Sequence, residues 1–491
     1  MERQYVGETK LRHLILFNIV SQLAWKFDEQ SISQQLPYIQ EYYKIEPIVS
    51  QWYSTTFFLA QAAAAIPLAK FGERFGQPLV LRICYGLFSI VQIAQFFITN
   101  YPLLIVFRVF AGILIAGAVS NKNGLVTKFP NQAESGKSIS ISILITNINA
   151  IFIPFISGIL IDKLFFGYIN LIAGIFAFIS MVASFQFINN PVRTSKHFDL
   201  LGGLFITVAI ASTCSFFVII AMNQYYYLIL VTFTGILGGS LFYVVEKRAE
   251  DPILPLDLLK NPVSDLLILY ALNYVNQGGI TFIYPQVMRK LNISSGTIGI
   301  VNMISGIILV IFSIIIPKVQ TKVANWTSLV VLNSVIILLI SLNCFFMTMF
   351  YGHSVLYGTS NVAFMTIQMI SYKMLLMSVE QGDASKVSGF PTVARSVGNS
   401  ISLALFASIE SVVTQNVPQS QQDWGYRGGF IAIICIVFVE IGITICRIGN
   451  REQERGKFGF KVKLLRELKK YKILQDNDNH QEDISSQHLQ L

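Results

Sequence analysis

The chain has 491 residues, of which 53% are hydrophobic and only 13% charged, and its mean hydropathy is +0.57. Soluble domains carry about 25% charged residues, so a chain of this length with so few charges is not an ordinary soluble enzyme. The formal charge of +9 does not indicate nucleic acid, because the basic residues are spread singly between apolar runs and not clustered on one soluble face.

A bilayer crossing takes about 20 mostly apolar residues. Runs of that kind fall at 13–37, 50–71, 79–98, 102–125, 138–161, 165–188, 200–222, 225–245, 264–286, 295–316, 326–347, 353–377, 388–413 and 428–447. They predict an all-α polytopic membrane protein with about 14 transmembrane helices. The lead MERQYVGETKLRH has no small-residue cleavage site after it and reads as a cytoplasmic N-terminus, not a signal peptide.

Charge placement orients the chain, since Lys and Arg collect in cytoplasmic connections. With the N-terminus inside, the inner connections receive Lys70 and Arg74, then Lys122, Lys128 and Lys137, then Arg193 and Lys196, then Lys247, Arg248 and Lys260. Lys318 and Lys322, then Lys386, and finally the tail after Arg447 continue the series. The opposite connections hold only Lys44, Lys163, Arg289, Lys290 and Arg427. Both termini are therefore expected to be cytoplasmic. Omitting the pair 200–222 and 225–245 keeps this parity, so charge alone leaves about 12 and about 14 spans both open.

Between Arg451 and Lys472, nine Lys or Arg stand against Glu452, Glu454 and Glu467, a net of +6. Val462, Leu465 and Leu468 recur there at helical spacing. Such a segment suits either the anionic inner leaflet or a solvated charged helix. The polar, acidic end beyond it has the composition of a disordered tail. Cys84, Cys214, Cys344, Cys435 and Cys446 are scattered without a CxxC pair, so neither a metal nor another cofactor is expected.

An ionisable group inside a span is costly unless it meets a partner or a cavity, which makes it a candidate for function. The first run carries Lys26, Asp28 and Glu29. On a helix, Ser21, Trp25, Asp28 and Gln35 fall near one face, and Gln22, Lys26, Glu29 and Ser33 near another. Lys26 and Glu29, at i and i+3, can neutralise one another. Asp28 needs a partner from elsewhere, and Arg108, at a comparable depth in the fourth run, is the natural one; the pair is expected to line a central cavity. Glu440 in the last run and the amides Asn147, Asn149, Asn273, Asn276, Gln277 and Gln368 are candidates to line a pathway, against the alternative of interhelical hydrogen bonding. Glu410 and Lys373 lie near span ends and can reach water.

The loop PLAKFGERFGQPLVLR resembles the signature between spans two and three of the major facilitator superfamily. Glu73 stands where that family usually has Asp, while Arg74 and Gly76 match, and the family role implied is a conformational latch. Ala69 replaces the first Gly, and Gln77 and Pro78 replace the trailing bases. FDEQSISQQLP is similar to the first-span signature of the 14-span drug:proton antiporter branch. VFRVFAG places Arg108 and Gly112 like the fourth-span motif associated with proton transfer. IPFISG, with Pro154 and Gly158, resembles the fifth-span antiporter motif, with Ile153 where a Gly normally stands. HFDLLGGLF, EKRAEDPILPLDLLKNP and EQGDASKVSGFPTVARSVGNS resemble further segments of the same branch.

The resemblance covers about residues 13 to 447 and implies two six-helix bundles plus two extra central spans. The organisation expected is a cytoplasmic N-terminus (1–12), an N-terminal bundle (13–190), two additional helices with their connections (191–262), a C-terminal bundle (263–447) and a cytoplasmic tail (448–491). The implied function is proton-coupled antiport that exports lipophilic or cationic compounds by alternating access. Asp28, Glu29 and Arg108 are then assigned to proton coupling, and Lys26, Trp25, Asn147, Gln277 and Glu440 to the substrate cavity. Lys26 disfavours a simple cation site, so export of an anionic or zwitterionic metabolite, such as a peptide, siderophore or fatty acid, stays open beside it, as does a lipid or glycolipid flippase. No HExxH, GxSxG or nucleotide-binding loop is present, and no enzyme is expected. The partners implied are a small-molecule substrate, protons and the lipid bilayer, for a monomer in a bacterial cytoplasmic membrane.

Overall fold

The computed structural model describes residues 11–45, 47–127, 132–187, 200–221, 225–249, 262–319, 325–378, 390–416 and 423–449. The basic tail segment and most of the longer connections lie outside these residues. The described residues form α1 (Leu11–Tyr43), a single turn α2 (Pro47–Ser50), α3 (Trp52–Phe75), α4 (Gln77–Phe97), α5 (Tyr101–Thr127), α6 (Gln132–Lys163) and α7 (Tyr168–Phe187). Then follow α8 (Leu200–Ala221), α9 (Tyr225–Arg248), α10 (Val263–Lys290), α11 (Ser295–Val319), α12 (Asn325–Phe346), α13 (Phe350–Met377), α14 (Phe390–Asn416) and α15 (Asp423–Ile443), which ends in a π-helical turn (Thr444–Gly449).

Every apolar run predicted from the sequence corresponds to one long helix. Seven of the helices meet a strict test of length and apolarity for crossing a membrane. Helix α1 is not among them, since Lys26, Asp28 and Glu29 stand on it. All-helical spanning structure has a simple cause: in lipid the backbone must satisfy its own hydrogen bonds. Pro37, Pro67, Pro154 and Pro285 lie inside helices. Each removes one hydrogen bond to the carbonyl four residues earlier; at Pro154 a neighbouring helix also engages the backbone, since Gln34 Nε2 donates to the Pro154 carbonyl at 3.3 Å.

Packing sorts the helices into two sets. In the first, α3 packs on α5, α4 on α5 and α7, and α1 on α6 and α7. In the second, α10 packs on α13, α14 and α15, and α12 on α13 and α15. The sets meet along two seams, α6 against α11 and α3 against α14. Helix α8 packs on α9 and also on both α3 and α14, with Thr207 Oγ1 donating to the Ala63 carbonyl at 3.1 Å. Helix α9 turns Tyr226, Ile229, Leu230, Phe233 and Ile236 outward at 58–95% exposure, an apolar surface suited to lipid and not to water.

Candidate functional site

The structure brings Asp28 and Arg108 together. Arg108 Nη1 donates to Asp28 Oδ1 at 2.7 Å, and both side chains are fully buried. Gln92 Nε2 donates to the other carboxylate oxygen at 2.7 Å, and Arg108 Nε donates to the Tyr53 carbonyl at 3.1 Å. The guanidinium also lies 4.1 Å and 4.5 Å from the Tyr53 and Phe57 ring centroids. These partners come from α1, α3, α4 and α5, all of the first set. The pair is therefore sealed inside that set and does not line a cavity between the sets, as the sequence suggested. A buried ion pair needs such additional bonds, because desolvation otherwise cancels its attraction.

A second charged cluster lies where the two sets face each other. Glu29 takes hydrogen bonds from Lys26 on its own helix at 3.2 Å and from Arg395 on α14 at 3.1 and 3.3 Å. Beside Arg395, Ser396 Oγ donates to Gln61 Oε1 on α3 at 3.0 Å. Trp25 belongs to this cluster and not to the Asp28 group with which its helical face associates it. The Lys26 ammonium lies 4.2 Å, the Arg395 guanidinium 4.8 Å and the Lys122 ammonium 5.8 Å from its ring centroid. Each of these residues is under 10% exposed.

The end of the molecule that carries Asp162 is closed by polar bonds between the sets. Asp162 on α6 accepts the backbone N–H groups of Ser295 and Gly296 at 3.2 and 2.6 Å, so it caps the N-terminus of α11, where a negative charge is favoured. Tyr38 on α1 donates to the same carboxylate at 2.8 Å. Pro154 and Gly158 lie just below. A Cβ on Gly158 would sit 2.5 Å from the Ser295 carbonyl, and one on Gly299 2.6 Å from the Pro154 carbonyl. The two helices approach this closely because each presents a glycine to the other's backbone. A cleft of about 260 Å³ between α1, α10 and α11 is lined by Gln34, Tyr38, Pro285, Asn292 and Ser295.

The remaining candidates scatter. Glu73 pairs with Lys70 on its own helix at 3.5 Å; Arg74 is exposed and lies over Phe75. Gly76 closes the turn with φ of 102°, which only glycine adopts easily. Gln277 on α10 accepts from Gln368 on α13 at 2.6 Å, an interhelical bond within the second set. Glu440 is fully buried and accepts from Asn276 at 2.7 Å, also within the second set, since α15 packs on α10, α12 and α14. The side chains of Asn147, Lys373 and Glu410 lie outside the described residues.

Residues 16–403 match the Major Facilitator Superfamily. The chain belongs to this family. It is 25% identical over 300 residues to the riboflavin transporter RibZ of Clostridioides difficile, a match that covers 58% of this chain and 63% of RibZ, so the chain spans less than two thirds of that relative. It is 23% identical over 407 residues to the multidrug resistance protein Stp of Mycobacterium tuberculosis, covering 78% of this chain and 72% of Stp. Among solved structures it resembles the POT family transporter PepTSo, with a TM-score of 0.62 and 12% identity over 89% of this chain and 98% of that one. The fold is the all-helical one of this family, and the chain is a multi-pass membrane protein of a transporter family.

Proposed function

We propose that the protein is a proton-coupled secondary active transporter that exports small organic molecules by alternating access. On this reading it has about 14 spans with both termini in the cytoplasm, works as a monomer in a bacterial plasma membrane, and rocks its two helix sets about a site near the midplane. The observation that carries it is the Glu29–Arg395 pair, which ties the two sets at a buried cluster of charges. An ion pair across moving parts can break and reform with each cycle. Asp28 and Arg108, held in the first set beside this cluster, are the proposed proton-coupling pair together with Glu29.

The resemblance to drug:proton antiporters and the name of Stp support lipophilic or cationic substrates. A specific observation favours the anionic or zwitterionic reading instead: Lys26, Lys122 and Arg395 surround Trp25, with Glu29 as their only carboxylate partner among the described residues. The test is reconstitution in proteoliposomes with an imposed pH gradient and a lumenal pH dye. Substrate-dependent collapse of the gradient is the expected result. A gradient that decays equally with and without every organic ion offered overturns the proton-coupled reading.

A further inference from the structure

The cluster around Trp25 has donors in excess. Lys26, Lys122 and Arg395 supply three positive charges and Glu29 one negative, so the formal balance is 3 − 1 = +2. Lys122 is 2% exposed. Its charged neighbours are the like charges of Lys26 and Arg395, and among the described residues it has neither an ion pair nor a hydrogen bond. Three further donors in the cluster also lack acceptors: Trp25 Nε1, Arg395 Nη2 and Gln61 Nε2. A buried donor without an acceptor costs about 1–3 kcal/mol, and more when charged.

The orphans share one chemistry. All are N–H groups, and no acceptor on the described residues answers them; what would satisfy them together is a group rich in acceptor oxygens that carries negative charge. We infer that the Trp25 cluster is a binding centre for an organic anion, with its carboxylate, sulfonate or phosphate between Lys122, Arg395 and Trp25 Nε1. Tyr270 and Tyr274 on α10 stand next to Arg395 with their rings 5.1 Å apart. With Trp25 they supply flat apolar surface for an aromatic body. Lys122 is the residue that sets the sign of the ligand, because Lys26 and Arg395 already share Glu29 while Lys122 has no counter-charge of its own. On the transporter reading, the anion reaches the cluster as the two helix sets move against one another.

This inference rests on the transporter reading for access to the site, and an equilibrium binding measurement separates the two. Fluorescein, an aromatic dianion, is titrated into the purified full-length protein in neutral detergent and followed by fluorescence anisotropy, with ethidium as the cationic counterpart. Saturable fluorescein binding is expected, weakened at least tenfold by Lys122→Gln and restored to within about threefold by Lys122→Arg, with all variants shown to be folded by their melting transitions. Ethidium binding that equals or exceeds that of fluorescein overturns the inference, as does a Lys122→Gln variant that binds fluorescein unchanged. Displacement of fluorescein by phosphatidylglycerol, but not by soluble aromatic carboxylates, overturns it in favour of a lipid headgroup site. Binding without gradient-driven flux leaves the anion site standing and removes the transport reading; flux of cations alone does the reverse.

Discussion

Arg395 reaches from α14 to Glu29 on α1 with two hydrogen bonds of 3.1 and 3.3 Å, a direct charge contact between the two helix sets. Glu29 also keeps Lys26, so loss of Arg395 does not strand the carboxylate. Arg395→Gln is therefore expected to cost about 3 kcal/mol, the lower end for breaking a buried pair. Glu29→Gln in the same background should add little, giving a double-mutant coupling above about 1 kcal/mol. Unfolding of the four proteins in detergent measures this, and strictly additive losses would show that the pair contributes nothing.

Among the described residues, neither Asp28 nor Arg108 has a second charged partner within an ion-pair distance. Asp28→Asn keeps an acceptor for Arg108 but leaves a buried, uncompensated charge, with an expected loss of about 3–5 kcal/mol. If the pair couples protons, this variant retains substrate exchange at equal pH on both sides while losing accumulation driven by a pH gradient. Accumulation at the wild-type level removes Asp28 from the coupling role.

Gly158 sets the distance between α6 and α11. Gly158→Val places methyl groups against the Ser295 backbone, overpacking worth about 1–3 kcal/mol, and pushes apart the end that Asp162 and Tyr38 hold closed. Cysteines introduced at Tyr38 and Ser295 in a background cleared of the native cysteines should become more reactive to a membrane-impermeant maleimide in the valine variant. Unchanged labelling would mean that the glycine contact does not control this opening.

Glu440 is expected to act structurally, through the hydrogen bond that it accepts from Asn276 on α10. Glu440→Gln keeps an acceptor for Asn276 Nδ2 and is expected to leave transport near wild type and the melting temperature within about 2 °C. Glu440→Leu strands that buried donor, at about 1–3 kcal/mol. A glutamine variant that folds normally yet fails to transport would place Glu440 in the mechanism.

Much of this architecture is legible in the sequence, because apolar length marks where the helices lie; their ends are less so, since α1 runs on to Tyr43 and α6 starts at Gln132, beyond the runs 13–37 and 138–161. Asp28 and Arg108 are legible as partners for the same reason: depth along a span can be counted, and two opposite charges at one depth seek each other. Arg395 and Lys122 were not. Lys122 counts with the inner-loop charges in a topological reading, which registers a basic residue near a helix end but not whether its side chain turns toward water or inward. Arg395 sits five residues into α14, inside a stretch read as a family connecting segment. Asp162 and Gln92 matter through their partners on other helices, and a linear sequence carries no signal for that.

Helix α8 bears on α3 and α14 at once, and its partner α9 faces outward. Any rotation of one helix set against the other must slide α8 along at least one of its two supports, so this flank resists in the manner of a hinge with friction. Among the described residues, no added helix bears on α6 and α11 in this way. Substitutions in α8 that touch no substrate should thus alter turnover more than affinity, with α8 and α9 acting as a damper on the cycle.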